Sequence, residues 1–192
     1  MKRAGMIVAF VCVAIIQLGV PVGMIAKREA TLRLGHAYKF RTAPVDPVDA
    51  FRGRYVWLNY EQHQAPWKGE SQGGRCGTAF ARIEAGTDGF AVVGDVGSQP
   101  PQSGDFVKVQ NVYPGWGTNS HMAQFQLPFD RYYMEEAKAP RAEQAYREHQ
   151  NRRGQTNHTT YAVVRIKDGD AVIENVILDG RPIAEFARSE SK

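Results

Sequence analysis

Asp46 and Asp49 stand three residues apart in APVDPVDAFRGRYVWLNY (43–60), a stretch that also holds Arg54, Tyr55 and Tyr60. Two carboxylates and a phenol could serve a hydrolase. One carboxylate would activate water, and its neighbour or the phenol would move the proton. The same residues also fit a structural account. Asp46 before Pro47 suits an N-cap followed by proline at the first helical position. Asp49 then falls in the first turn, where a carboxylate meets unpaired N–H groups. Gly53 can take the left-handed conformation that ends a turn. One helical turn feeding a β-strand accounts for the proline, both aspartates and the glycine, and is the preferred reading. A hydrolase or ligand-binding enzyme with its site near Asp46, Asp49 and Tyr60 is the alternative.

The strand read over 54–60 places Arg54, Val56, Leu58 and Tyr60 on one face and Tyr55, Trp57 and Asn59 on the other. That spacing stitches a strand into two packing layers and does not gather side chains around one substrate. Other chemistry is thinner still. The histidines are His36, His63, His121, His149 and His158, and no pair has zinc-ligand spacing. Neither a metal nor a cofactor is expected. Cys12 lies in an apolar segment and Cys76 in the polar body, so they cannot pair, and no redox motif surrounds either. Ser120-His121 has no accompanying motif. SGDFVKV (103–109) resembles the strand entry of signal-peptidase barrels, but the Ser-Met-x-Pro nucleophile stretch is absent. Asp95 and Asp105 read as turn carboxylates at strand ends. In NVYPGWGTN (111–119), Tyr113 and Trp116 flank Pro114-Gly115. They form either an aromatic ledge for a partner or glycan, or a turn covering the core edge.

The elements that must position these residues begin with an anchor. Residues 4–26 carry no charge, and as a helix they reach roughly 34 Å, enough for a hydrocarbon core of about 30 Å. The segment is longer than a signal-peptide core and ends in Met24-Ile25-Ala26 rather than in small residues, so an uncleaved anchor is expected. Lys2 and Arg3 flank it on one side; Lys27, Arg28 and Arg33, offset by Glu29, flank it on the other. The charge rule is nearly balanced, and the short N-terminal flank favours the N-terminus inside and the body outside.

The remainder reads as one domain, 27–186, with a frayed tail at 187–192. Hydrophobic residues make up 43% of the 192-residue chain, enough for a packed core. Net charge is +4, but Lys2 and Arg3 account for two of the 24 basic residues, leaving 22 against 20 acidic ones in the body. A surplus so small and so interspersed excludes a nucleic-acid stripe. Strand signals recur from Thr31 onward: AYKFRT (37–42), RYVWLNY (54–60), TAFARIEAG (78–86), FAVVGDVG (90–97), DFVKVQNVY (105–113), HMAQFQLPF (121–129), TTYAVVRI (159–166) and AVIENVIL (171–178). Thr87-Asp88-Gly89 and Lys167-Asp168-Gly169-Asp170 are hairpin turns. A short surface helix is expected over 140–153, with a stripe of Ala142, Ala145, Tyr146 and His149. Residues 61–75 and 97–104 read as loops, Trp67 being a lid or a surface fixture. The fold class is mainly β: an antiparallel barrel or sandwich with one short surface helix, preceded by a single transmembrane helix.

GRYVWLNY (53–60) resembles the signature of the GDYXXLXY family, bacterial membrane-anchored proteins without an established activity. GMIAKREATLRLG (23–35), APVDPVDAFRG (43–53), LPFDRYYMEE (127–136) and VVRIKDGDAVIENVILDGRPI (163–183) are similar to it as well. On this resemblance the motif residues are Asp46, Pro47, Asp49, Gly53, Arg54, Tyr55, Leu58 and Tyr60. Arg54 stands where the signature has Asp. A guanidinium cannot replace a catalytic or metal-binding carboxylate, so that position reads as a turn residue. The resemblance implies an exported body and, through neighbouring multi-span membrane proteins, a membrane partner. The expected function is therefore an accessory or binding module for an integral membrane protein, not an enzyme. A small-ligand receptor would need a deep barrel cavity.

Overall fold

The computed structural model describes residues 3–43, 55–69, 74–115, 121–135, 138–152 and 159–186. Helix α1 (Arg3–Leu34) leads into β1 (His36–Ala43), β2 (Tyr55–Trp57), β3 (Asn59–Tyr60), β4 (Gln64–Pro66), β5 (Cys76–Ala85) and β6 (Ala91–Gly97). Then come β7 (Asp105–Pro114), β8 (Met122–Gln126), β9 (Arg131–Tyr133), α2 (Ala139–Arg152), β10 (Thr160–Lys167), β11 (Asp170–Leu178), β12 (Arg181–Pro182) and α3 (Ile183–Phe186).

The body is an antiparallel, nearly closed, barrel-like β structure. One five-stranded sheet runs β4-β8-β7-β5-β6. Its ends meet through a parallel bridge from Trp67 to Val96, with the Lys68 N–H donating to the Val96 carbonyl at 2.8 Å. A second runs β12-β11-β10-β1-β3, and β2 and β9 form a two-stranded ribbon. The two large sheets touch where the Lys108 N–H donates to the Gly169 carbonyl at 3.3 Å. Closure of this kind removes most unpaired edges, which would otherwise template aggregation.

Alternation builds the core. Ala79, Ala81 and Ile83 on β5, Val107 and Val109 on β7, and Ala162, Val164 and Ile166 on β10 are all buried. Each fully buried valine or isoleucine contributes about 1.5–3 kcal/mol. On β7 the inward positions switch from odd to even numbers at Asn111, whose φ of 52° marks a bulge where the register with β8 shifts. Val112 and Pro114 thereby turn inward as well.

The β10–β11 hairpin closes on Asp168 and Gly169, both at positive φ (51° and 83°), as a two-residue turn matched to strand twist requires. The turn expected at 87–89 is also present: Asp88 Oδ1 accepts from the Phe90 N–H at 3.1 Å. Helix α2 covers 139–152, close to the expected 140–153. Its stripe is buried at Ala142 and Tyr146, so it packs on the barrel.

Five readings need correction. The run 54–60 is not one ladder: β2 pairs with β9, whereas β3 pairs with β1. The chain changes partner at Leu58, whose N–H donates to the Asp130 carbonyl at 2.8 Å. Residues 61–75 are not all loop, because β4 pairs with β8 there. Trp67 is neither lid nor surface fixture but packs partly buried against the core. Residues 31–34 are the last turn of α1, which continues past the apolar segment, rather than the start of the strands. Asp95 lies within β6, not at a turn, and its carboxylate meets the Arg82 guanidinium at 2.6 Å and Lys68 Nζ at 3.1 Å.

Helix α1 is apolar through an 18-residue window of mean hydropathy 2.4, none of it buried in the protein. Its basal turns, by contrast, dock on the body. Thr31 is buried, Lys27 pairs with Asp170 at 2.7 Å, and the Arg165 guanidinium on β10 donates to the Gly35 carbonyl at 3.2 Å. Gly35 is required by close approach: a Cβ there would lie 2.5 Å from the Thr31 oxygen and 2.9 Å from that of Ile166.

Candidate functional site

The motif strand can be followed from Tyr55. Val56, Leu58 and Tyr60 point into the core and are almost fully buried. Tyr55 and Trp57 lie half-buried on the opposite face. Tyr60 packs edge-on to Phe40 and Phe129, with ring centroids 6.0 and 5.2 Å away. Its hydroxyl donates to the Phe129 carbonyl at 2.8 Å. Burial, then the nearby Tyr146 and Asp130, push this phenol well above its ordinary pKa. A neutral phenol committed to a backbone carbonyl is a structural hydrogen bond of the kind buried tyrosines need.

Tyr55 has a different setting. Its ring lies 6.3 Å from Trp57 and 5.6 Å from Tyr133, and the Arg131 guanidinium stacks 5.3 Å from Tyr55 and 5.1 Å from Trp57. A hydrogen bond with Tyr133 and the charge of Asp130 hold Arg131 above its ordinary pKa. This cation-on-aromatic stack joins β2 to β9 across the register pair Trp57–Arg131. It borders two clefts. One, about 350 Å³, opens between Arg28 of α1, Arg131 and Tyr133 beside β9, and Val172 of β11. The other, about 330 Å³, lies between Trp57, Gln110, Gln126 and Arg131.

Two further polar clusters are built by tertiary contact. Asp105 Oδ2 is met by His36 Nδ1 at 2.6 Å and accepts from the Tyr38 hydroxyl at 2.8 Å, tying the start of β7 to β1. Burial, and then that carboxylate, push the Tyr38 phenol up to about 12. His149 Nε2 lies 3.3 Å from Asp179, and its ring packs edge-on to Phe186, which closes α2 onto α3. Among the described residues no group of three His, Cys, Asp or Glu side chains is placed to hold a metal ion.

Asp46, Pro47, Asp49, Gly53 and Arg54 lie outside the described residues, and so does Trp116. Of the expected site, Tyr55, Leu58 and Tyr60 are therefore placed, and they point to two different layers. Tyr113 is half-buried on β7. Sequence reasoning missed the Arg131 stack. No local pattern marks it: in DRYY (130–133) Arg131 is followed by two adjacent tyrosines, and the partner strand β2 is remote in sequence.

Among comparisons with known proteins, the family model described as GDYXXLXY protein matches residues 17–176. No curated protein matches, and no solved structure matches.

Proposed function

We propose that this chain, which belongs to the GDYXXLXY family, is a single-pass membrane-anchored accessory module. Its body would lie outside the cytoplasm and support an integral membrane partner. One observation carries the reading. α1 exposes apolar side chains along its span, yet its last turns are fixed to the barrel through buried Thr31, the Arg165 bond to the Gly35 carbonyl and the Lys27–Asp170 pair. A tether continuous with the body holds that body at a set height and orientation above a bilayer, as an accessory domain needs. An exposed span also leaves its whole circumference available to other spans.

Crosslinking in native membranes tests this reading. A multi-span protein should be recovered with the full-length chain and lost when residues 4–26 are replaced by an unrelated span of equal length. Recovery of no membrane protein, or recovery indifferent to the span, would overturn it.

A further inference from the structure

Two clefts flank the base of α1 and share Arg28, Ala171 and Val172 as walls. One, about 270 Å³, starts at Met24, among the last apolar residues of the helix. The other, about 350 Å³, continues to Arg131 and Tyr133. They adjoin at these residues: the smaller cleft is the more apolar, with Met24, Ala171 and Val172 in its wall, and the larger is the more polar, with Arg131 in its wall. Lys27, Arg28 and Arg131 face the carboxylates of Asp130 and Asp170 there, a surplus of one positive charge. Lys27 is engaged with Asp170 at 2.7 Å, and Arg131 lies 3.7 Å from Asp130. Among the described residues Arg28 has no ion-pair partner, so its guanidinium is available.

Position decides what would occupy this groove of two adjoining clefts. Arg28 stands four residues beyond Met24, about 6 Å of helix rise, where an apolar span gives way to headgroups. Tyr133, 63% exposed, stands beside it, and tyrosine rings favour that level of a bilayer. Guanidinium groups match phosphate oxygens in a fork geometry that ammonium lacks. A free phosphate would leave the more apolar cleft unused.

We infer that the groove holds one anionic phospholipid, its phosphodiester between Arg28 and Arg131 and an acyl chain along Val172 towards Met24. This rests on reading α1 as a membrane span. The bound lipid would fix the height of the barrel and join the stack around Arg131 to the bilayer.

The test is native mass spectrometry of the full-length protein released from nanodiscs of phosphatidylcholine with a minor fraction of phosphatidylglycerol. The wild type should retain one phosphatidylglycerol in preference to phosphatidylcholine. Arg28→Gln, at an exposed position, should keep its thermal midpoint and lose retention about tenfold, the scale of one charged hydrogen bond. Lys39→Gln, on β1 away from the groove, should retain lipid as the wild type does, and inorganic phosphate should not displace it. Equal retention of both lipids, an Arg28→Gln protein that retains as much as the wild type, or displacement by inorganic phosphate would each overturn the lipid site. A protein that enters the discs without lipid preference refutes the groove alone. One that fails to enter them refutes the anchor, and the groove with it.

Discussion

Tyr60 and Leu58 are motif residues whose side chains are buried in the core. Replacing Tyr60 by Phe removes the hydroxyl that satisfies the buried Phe129 carbonyl and should destabilise the body by about 1–3 kcal/mol. Leu58→Ala, at a position 1% exposed, should cost about 2–5 kcal/mol. Urea unfolding of the detergent-solubilised protein, followed by tryptophan fluorescence, measures both. A Tyr60→Phe protein as stable as the wild type would contradict the structural role. Tyr38 supplies a pH test. Its phenol is held up at about 12 by burial and by Asp105. A raised tyrosine pKa favours the folded state fully below the ordinary value near 10, and that contribution is lost as pH rises through 12. Ultraviolet titration of phenolate should therefore find a late-ionising group that shifts down in Asp105→Asn. Little of this was legible residue by residue. Burial of Leu58 and Tyr60 on one face followed from strand alternation. The contacts of Asp95 with Arg82 and of Asp105 with His36 cross between strands, where no local pattern points.

At the scale of elements, what could be read was what is local. The hairpin around Asp168-Gly169 and the turn at 87–89 showed in sequence because two residues decide each of them. Strands β4 and β9 are three residues long and owe their existence to remote partners, β8 and β2, so neither periodicity nor turn chemistry marks them. The same limit hid the partner change at Leu58. The last turn of α1 reads in sequence as part of the strand region because charges end the apolar run, while tertiary docking prolongs the helix. That docking is testable at Gly35. Gly35→Ala forces a methyl against the Thr31 and Ile166 oxygens and should loosen α1 from the barrel. Limited proteolysis should then cut at 27–36, while the barrel retains its fold by circular dichroism. Equal resistance in both proteins would show that the junction is not tight. Gly169→Ala meets both a positive φ and the Phe106 ring at 2.6 Å, so it should lower stability by about 1 kcal/mol or more, read as a fall in the urea midpoint.

For the whole molecule, composition already separated an apolar leader from a nearly neutral β body. The barrel-like closure gives that division a shape: a covered sheet fastened to one exposed helix. The membrane reading depends on residues 4–26 remaining attached to the turns docked at Lys27 and Thr31, because only that apolar stretch could reach across a bilayer. Salt cannot release a span held by apolar burial, whereas a body held only by surface charge would wash off. The direct measurement is the mass and location of the mature protein after alkaline washing of its native membranes. Full-length chain of 21.4 kDa should remain in the pellet. A shortened chain beginning after Ala26, recovered in the soluble fraction, would contradict the tether and everything built upon it.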